Sequence, residues 1–195
     1  MINKITRFIK EHEIIIFVFI TFLCSWIIWS IDILHGHASF LLYLGAFMPS
    51  IVSIVLTKWI YKKKGIKQLL TRLTKWKFNF ITIYFIANGH YMLFYLVLIL
   101  FIGGPLGEEF GWRGFLLPKL EKKFNSFYTS IIIAAIWSCW HLPLFFIHGT
   151  SQYGVSFPLF SFQLICFSII ITWIHNKTDG SLIFPILFHT AVDTT

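Results

Sequence analysis

The amino-acid sequence predicts an all-α fold, a polytopic transmembrane helical bundle of about six or seven membrane helices. Of the 195 residues, 57% are hydrophobic and 12% are charged, whereas an average soluble domain is about 25% charged. The mean hydropathy is +0.76, and apolar runs of the roughly 20 residues that cross a bilayer core recur along the chain. This composition excludes a disordered chain, which requires low hydrophobicity, and disfavours a soluble domain.

The positions of the cations explain the net charge of +8. Eight of the 16 Lys and Arg residues fall between Lys58 and Lys77, and Lys4, Arg7 and Lys10 precede the first apolar run. This is the positive-inside pattern of cytoplasmic segments. We therefore expect a protein integral to the plasma membrane, with a cytoplasmic N-terminus, the lipid bilayer as partner and no nucleic-acid partner.

The first half of the chain predicts two spans and a surface helix. Residues 14–34 form the first span, and residues 38–60 form the second, with a kink at Pro49. The basic stretch 58–77 has apolar residues at helical spacing, which predicts an amphipathic helix on the inner membrane surface. These apolar residues are Ile66, Leu69, Leu70 and Leu73.

The second half predicts further spans around one unusually polar segment. The apolar segments are 78–104, which Asn88-Gly89-His90 interrupts, then 127–147, 157–174 and a short helix at 181–193. The basic residues on both sides remain cytoplasmic only if 105–121 crosses as a short polar helix buried within protein. The region 78–121 then holds two spans, or one span and a re-entrant piece.

The cysteines and the N-terminus carry no processing or redox signal. Cys24, Cys139 and Cys166 lie in apolar stretches without C-x-x-C spacing, so we expect thiols in the core rather than disulfides or a zinc knuckle. No A-x-A site follows the first apolar run, so we expect no cleavable signal peptide.

Six ionisable residues fall at membrane depth, where each costs about 2.5–3.5 kcal/mol on the insertion scale. Ionisable side chains are found at this depth where they pair with another group or take part in a function. They are Glu108, Glu109, Arg113, His141, His189 and Asp193.

The first three of these residues share one short helix. Pro105 is suited to open it, and the positive end of the helix dipole favours carboxylates in the first turns. Glu109 and Arg113 are four residues apart and face each other, while Glu108 points about 100° away. An apolar site makes a free carboxylate a better general base. A structural salt bridge would explain Glu109 and Arg113 but would leave Glu108 unpaired.

The histidines have structural explanations when each is considered alone. His141 lies at the end of a span, where a hydrogen-bonded core histidine is the commoner case. His189 and Asp193 are four residues apart, so the carboxylate can orient the imidazole by accepting its N–H. The simpler explanation for this pair is a hydrogen bond at the end of a helix.

Taken together, three helices supply acid or imidazole groups in apolar surroundings. Glu108, His141 and His189 could activate a water directly, or they could hold a zinc ion with one open position. Both routes lead to amide hydrolysis. The sequence contains no G-x-S-x-G and no H-E-x-x-H motif.

These residues form three motifs that resemble the CPBP family, which comprises the type II CAAX prenyl endopeptidases and the bacterial bacteriocin-processing and immunity (Abi) proteins. The family pattern is E-E-x-x-x-R, F-x-x-x-H and then H-x-x-x-N or H-x-x-x-D. The matching segments are Glu108–Arg113, Trp137–His141 and His189–Asp193. The resemblance covers residues from about 105 to 193.

The resemblance implies an all-helical intramembrane endopeptidase with a role for each residue. Glu108 would activate water with the help of His141, while His189 and Asp193 would stabilise the oxyanion. The site would be shaped by Glu109 and Arg113 and walled by Trp137 and Trp112. The chain then divides into two membrane spans with a basic loop at 1–77 and a peptidase core at 78–195.

Two departures from the family pattern bear on the mechanism. Trp137 replaces the usual Phe and keeps an aromatic wall. Asp193 replaces Asn, and an ionised Asp accepts hydrogen bonds but cannot donate them, so it would orient His189 better than it would stabilise an oxyanion. We favour a metal-free mechanism because Glu108, His141 and His189 include no closely spaced ligand pair, with zinc as the open alternative.

Two other functions fit the same residues. A non-catalytic bacteriocin-immunity or scaffold protein of the same fold would use the polar cluster for structure, and a small transporter would use it as a proton relay. The leading hypothesis is a peptidase that cuts a membrane-associated or secreted peptide or protein.

Overall fold

The computed structural model describes residues 4–35, 39–75 and 104–193, and the regular structure in these ranges is helical without strands. Three helical segments are long and apolar enough to cross a membrane, and a bent pair, Phe40–Ala46 with Met48–Thr74, makes a possible fourth. The predicted all-α membrane bundle is therefore confirmed. The count of six or seven spans, the boundary between 77 and 78 and the Asn88-Gly89-His90 interruption depend on residues outside the described ranges.

The N-terminal region forms α1 (Lys4–Glu11) and α2 (Glu13–His35), which confirms the first span. One stripe of α2 is fully buried and recurs every three or four residues, at Phe17, Thr21, Ser25, Trp29 and Asp32. The opposite stripe is apolar and exposed, at Ile15, Phe19, Leu23 and Ile27. A helix that exposes an apolar stripe and buries a stripe with polar residues is typical of a bundle surrounded by lipid.

The second span consists of α3 (Ser39–Ala46) and α4 (Met48–Thr71), bent by 42° at their junction. Pro49 lies in the first turn of α4, where its missing N–H is tolerated. The bend therefore falls beside the predicted proline.

The predicted amphipathic stretch 58–77 falls on the second arm of α4 as far as Thr71. The helix breaks at Lys62, which has φ 58° and ψ −154°. Beyond the break the chain folds back, so that a Cβ on Gly65 would lie 3.0 Å from the Thr57 side chain. Leu69 is then buried with Phe110, Leu182 and Ile186. Leu69 on this arm therefore packs against protein, whereas Leu70 is 48% exposed, and a position on the membrane surface stays a prediction. A 3₁₀ turn, Arg72–Thr74, follows.

The polar segment predicted over 105–121 is a helix in three pieces. They are α5 (Pro105–Glu109), a π-helical segment (Phe110–Leu116) and α6 (Leu117–Leu120). It begins at Pro105 as predicted, whereas the π-helical register was not foreseen. Gly111 allows the segment to approach α4 closely, because a Cβ there would lie 2.6–2.7 Å from Pro49 atoms.

The C-terminal region forms α7 (Ser126–Trp140), a 3₁₀ turn (Leu142–Phe146), α8 (Phe157–Lys177) and α9 (Ile183–Asp193), which confirms the three predicted helices. The side chain of Asn125 caps α7 by accepting from the N–H of Tyr128 at 3.0 Å. Because α7 and α8 are antiparallel, Asn176 at the end of α8 donates to Glu121 and Ser126 beside the start of α7. The loop 148–156 lies at the other end.

Tryptophans fill the centre of the bundle. Trp29, Trp112, Trp137 and Trp140 are at most 1% exposed. The rings of Trp29 and Trp112 contact the Trp140 ring at centroid distances of 4.9 and 5.7 Å. These contacts join α2, the π-helical segment and α7 in one core.

The expectation that the cysteines are core residues is wrong for two of the three. Cys139 and Cys166 are exposed and Cys24 is partly buried, and all three are free thiols. The apolar stretches that contain them face outward as well as inward, because lipid accepts an apolar side chain that water would not.

The close approach at Gly111 makes a stability prediction. We expect Gly111→Ala to lower the free energy of unfolding by about 1–3 kcal/mol, since the added methyl would meet the Pro49 backbone. Gly114→Ala is the matched control, because its methyl would meet the ends of Leu69 and Leu182, which can move. Thermal unfolding in detergent measures both, and equal stability of the two variants would contradict the prediction.

Candidate active site

The three predicted motifs converge in the bundle from α5 with the π-helical segment, α7 and α9. Glu109 and Arg113 are fully buried, Glu108 is 6% exposed, His189 5% and His141 7%. The Asp193 side chain is 37% exposed. Five of the six ionisable residues therefore lie inside the protein and the sixth lies at its edge.

Glu109 is the centre of the charged part of the site. Its Oε1 accepts from Arg113 Nη1 at 3.0 Å, as the four-residue spacing predicts. The same oxygen lies 2.9 Å from His189 Nδ1, 80 residues away in sequence. A carboxylate oxygen only accepts, so the imidazole donates to it. Glu109 thus joins the first motif to the third.

Arg113 is held by three kinds of contact. Besides Glu109, its Nη2 donates to Ser168 Oγ of α8 at 3.3 Å. Its guanidinium carbon lies 4.7 Å from the centre of the Trp137 ring, in cation–π contact. A buried guanidinium with these partners has a fixed position.

Glu108 makes a different contact from its neighbour. Its Oε2 accepts from Trp137 Nε1 at 2.6 Å. Its Oε1 lies 2.9 Å from the place where a Cβ on Gly104 would stand, and Gly104 has φ 102°. The prediction that the two glutamates separate is confirmed, although Glu108 has a hydrogen-bond partner that the sequence did not indicate.

The backbone carbonyl of Trp137 determines which ring nitrogen of His141 carries the proton. His141 Nδ1 lies 2.9 Å from the carbonyl oxygen of Trp137. Since a carbonyl only accepts, Nδ1 carries a proton, and in the neutral ring Nε2 is then the acceptor. The ring is enclosed edge-to-face by Trp140 and Phe160 at 4.7 and 5.2 Å.

Asp193 is a more distant partner of His189 than Glu109 is. Asp193 Oδ2 lies 3.6 Å from His189 Nε2, which is beyond hydrogen-bond length. Two carboxylates therefore flank the ring, and the shorter contact belongs to Glu109. The hydrogen bond expected between His189 and Asp193 is absent at this distance, although the two side chains are neighbours.

Trp137 touches most of the site. Besides its bond to Glu108, its ring meets the His189 ring edge-to-face at 5.2 Å and stacks on Phe167 at 5.7 Å. The predicted aromatic wall is present at this residue. The ring contacts of the other predicted wall residue, Trp112, go to Phe17 and Trp140, so its role at the site stays a prediction.

The described part of the chain contains no group of three His, Cys, Asp or Glu side chains placed to hold a metal ion. Glu108, His141 and His189 come from three separate helices, and Glu108 Oε2 and His189 Nδ1 are engaged by Trp137 and Glu109. The metal-free mechanism stays a prediction, with zinc as the open alternative, and no step below depends on a metal.

Sequence reasoning missed four contributors to the site. These are Ser168, Phe167, Phe160 and Gly104. None belongs to a motif, and their contacts depend on how α8 and the start of α5 face the other helices. The π-helical register points to this segment as a functional site, because such segments occur frequently at functional sites, but the sequence did not indicate the register.

Comparison with known proteins covers the second half of the chain. A family model described as type II CAAX prenyl endopeptidase Rce1-like matches residues 88–195. CAAX prenyl protease 2 of Methanococcus maripaludis is 35% identical over 102 residues, which cover 48% of this chain and 36% of the relative. Lysostaphin resistance protein A of Staphylococcus haemolyticus is 33% identical over 86 residues, which cover 43% of this chain and 22% of the relative. The match therefore spans little more than a third of the first relative and less than a quarter of the second.

The different partners of Glu108 and Glu109 lead to a prediction about stability. We expect Glu109→Gln to lower the melting temperature by roughly 6–20 °C, because losing one partner of a buried ion pair costs about 3–5 kcal/mol. Glu108→Gln is the matched variant and should stay within about 1 kcal/mol of the parent, since the amide oxygen still accepts from Trp137. Thermal unfolding in detergent distinguishes them, and the reverse order would contradict this assignment of contacts.

Proposed function

The chain belongs to the Rce1-like family of type II CAAX prenyl endopeptidases, and from this membership we propose that it is an intramembrane endopeptidase that hydrolyses a peptide bond with a water activated by Glu108. The observation that carries the proposal is the different pairing of the two adjacent glutamates. Arg113 neutralises Glu109, whereas Glu108 has only the Trp137 indole as its hydrogen-bonding partner among the described residues. One carboxylate is thereby structural and the other is available as a base.

The proposed reaction needs no group beyond the protein and water. Glu108 takes a proton from a water whose oxygen attacks the scissile carbonyl, and His141 helps to orient that water through Nε2. The tetrahedral oxyanion is stabilised by His189, whose ring Glu109 holds in place. The C–N bond then breaks, and the leaving amine takes the proton from Glu108. Arg113 and Asp193 act by fixing Glu109 and His189.

The substrate class follows from the family and the surroundings of the site. A buried, aromatic-lined site within a membrane bundle suits a peptide or protein that is itself at the membrane. One relative is named CAAX prenyl protease 2, so a prenylated CAAX peptide is the first substrate to test. An unprenylated peptide precursor is the alternative that this test separates.

The activity experiment uses the full chain in proteoliposomes with a fluorogenic farnesylated CAAX peptide and its unprenylated counterpart. We expect Glu108→Gln to lower kcat by about 10²–10⁴-fold, the usual contribution of a general base. Glu11→Gln is the matched control, because Glu11 is exposed and its ion pair among the described residues is with Arg7.

Two outcomes would contradict the proposed mechanism. Cleavage at the parental rate by Glu108→Gln would remove its assignment as the base. Loss of parental activity on exhaustive chelation, with recovery on adding zinc, would replace the metal-free mechanism with a metal-dependent one.

A non-catalytic role is the second candidate, and it is considered because the other relative is named Lysostaphin resistance protein A, a name that states resistance and no reaction. In this case the ionisable residues of the three motifs would be structural, and the protein would confer resistance to lysostaphin. Cells that carry Glu108→Gln decide between the two roles, since resistance that persists with both Glu108→Gln and His141→Ala belongs to a non-catalytic protein.

The orientation follows from the positive-inside rule. We propose that the N-terminus and the second arm of α4 face the cytoplasm and that the loop 148–156 faces outward. In a variant without native cysteines, we expect Lys67→Cys to react with a membrane-impermeant maleimide only after cell lysis, and Ser151→Cys to react in intact cells. The opposite labelling pattern would reverse this topology.

A further inference from the structure

The side chain of Arg72 crosses from the 3₁₀ turn after α4 to the helix that carries the first motif. Its Nη1 donates to the backbone carbonyl oxygen of Gly114 at 3.0 Å. Gly114 directly follows Arg113 in the π-helical segment. A residue whose charge suggested only membrane topology therefore contacts the segment that holds the candidate site.

Pro118 removes the donor that the Gly114 carbonyl would have in an α-helix. In an α-helical register this carbonyl would accept from the N–H of residue 118, but residue 118 is Pro and has no N–H. The π-helical register ends just before, with the N–H of Leu117 bonded to the carbonyl of Trp112. An unsatisfied buried carbonyl is costly, so the Arg72 guanidinium supplies the donor that Pro118 lacks.

The main chain of Arg72 makes a second connection, to the helix that carries His189. The carbonyl oxygen of Arg72 accepts from the N–H of Leu182 at 3.0 Å, immediately before α9. Nearby, Lys75 Nζ donates to the carbonyl oxygen of Asp179 at 2.7 Å. Arg72 is thus bonded through its side chain to one motif-bearing segment and through its backbone to another.

Packing supports the same connection. Leu69, one turn before Arg72, is 4% exposed, and Leu182 is fully buried. Both leucine side chains approach Gly114, with atoms 2.9 and 3.3 Å from the place where a Cβ would stand. Three elements therefore meet at the carbonyl that Arg72 binds, and the glycine allows this meeting.

We propose that Arg72 is a positioning residue, which fixes the Glu109–Arg113 segment relative to the His189 helix by donating to the Gly114 carbonyl in place of the amide that Pro118 lacks. The proposal rests on the proposed function only for its consequence in catalysis. Arg72 acts through the backbone and does not touch the reacting atoms, so it affects turnover by geometry. A small displacement of catalytic groups can cost up to about 100-fold in rate.

The test compares four variants of the full chain in proteoliposomes. Arg72→Gln removes the charge and shortens the donor, and Arg72→Lys keeps a donor. Lys67→Gln is the matched control, an exposed cation on the same arm of α4. In the double variant Arg72→Gln with Pro118→Ala, the new N–H of residue 118 can satisfy the carbonyl that Arg72 has left.

Turnover of the farnesylated peptide is the first readout. We expect Arg72→Gln to lower kcat by about 10- to 100-fold with KM unchanged. Arg72→Lys and the double variant should recover at least part of that loss, and Lys67→Gln should behave as the parent. An equal loss for Arg72→Gln and Lys67→Gln would assign the effect to surface charge and overturn the proposal. The proposal would also be overturned if Arg72→Gln lowered kcat equally with and without Pro118→Ala.

Hydrogen exchange is the second readout and needs no substrate. We expect faster amide exchange over residues 114–121 and 182–189 in Arg72→Gln, and parental exchange in Lys67→Gln. Parental exchange over both segments in Arg72→Gln would overturn the proposal. If Arg72→Gln alters exchange in a protein that cleaves neither peptide, the result supports the connection through Arg72 and contradicts only the proposed peptidase substrate. Failure of the Arg72 proposal is therefore distinguishable from failure of the proposed function.

Discussion

The buried carboxylate of Glu109 is the interaction on which the rest of the candidate site depends. Its Oε1 accepts from both Arg113 and His189. A guanidinium or a carboxylate without a partner could not remain inside a membrane bundle, because the cost of desolvation is met only by close pairing and further hydrogen bonds. The pairing therefore fixes how the π-helical segment faces α9. It also occupies the nearest cation, which leaves Glu108 to the Trp137 indole.

The local backbone serves this arrangement at several points. Glycine at residue 111 lets the polar helix lie against the start of α4, and glycine at residue 104 leaves space beside the Glu108 carboxylate. The π-helical register, with its i→i+5 hydrogen bonds, points the side chains of this segment in directions different from those of an α-helix with the same residues. Pro118 ends that register and removes one amide, and the guanidinium of Arg72 donates in its place. Sequence features that weaken a helix in isolation are here compensated by contacts from other elements.

Much of the fold could be predicted because the helices of a membrane protein form long apolar runs that are visible in the sequence. The first span, the proline-opened polar helix and the three C-terminal helices all lie close to their predicted positions. The packing of the second arm of α4 could not be predicted, since amphipathic spacing indicates an apolar face but not what covers it. Leu69 meets Phe110 and Leu182. The cysteines were misplaced for a related reason, because lipid and protein interior accept the same side chains.

The sequence by itself determined the class of fold, the ionisable residues at membrane depth and the local pair of Glu109 with Arg113, because composition and helical spacing depend only on neighbouring residues. Only the tertiary structure decided that Glu109 also holds His189, that Trp137 donates to Glu108 and that Arg72 reaches Gly114. Those contacts join residues that lie 80, 29 and 42 positions apart. Periodicity reports which side chains share one face of a helix, whereas the meeting of faces from different helices depends on packing the whole bundle.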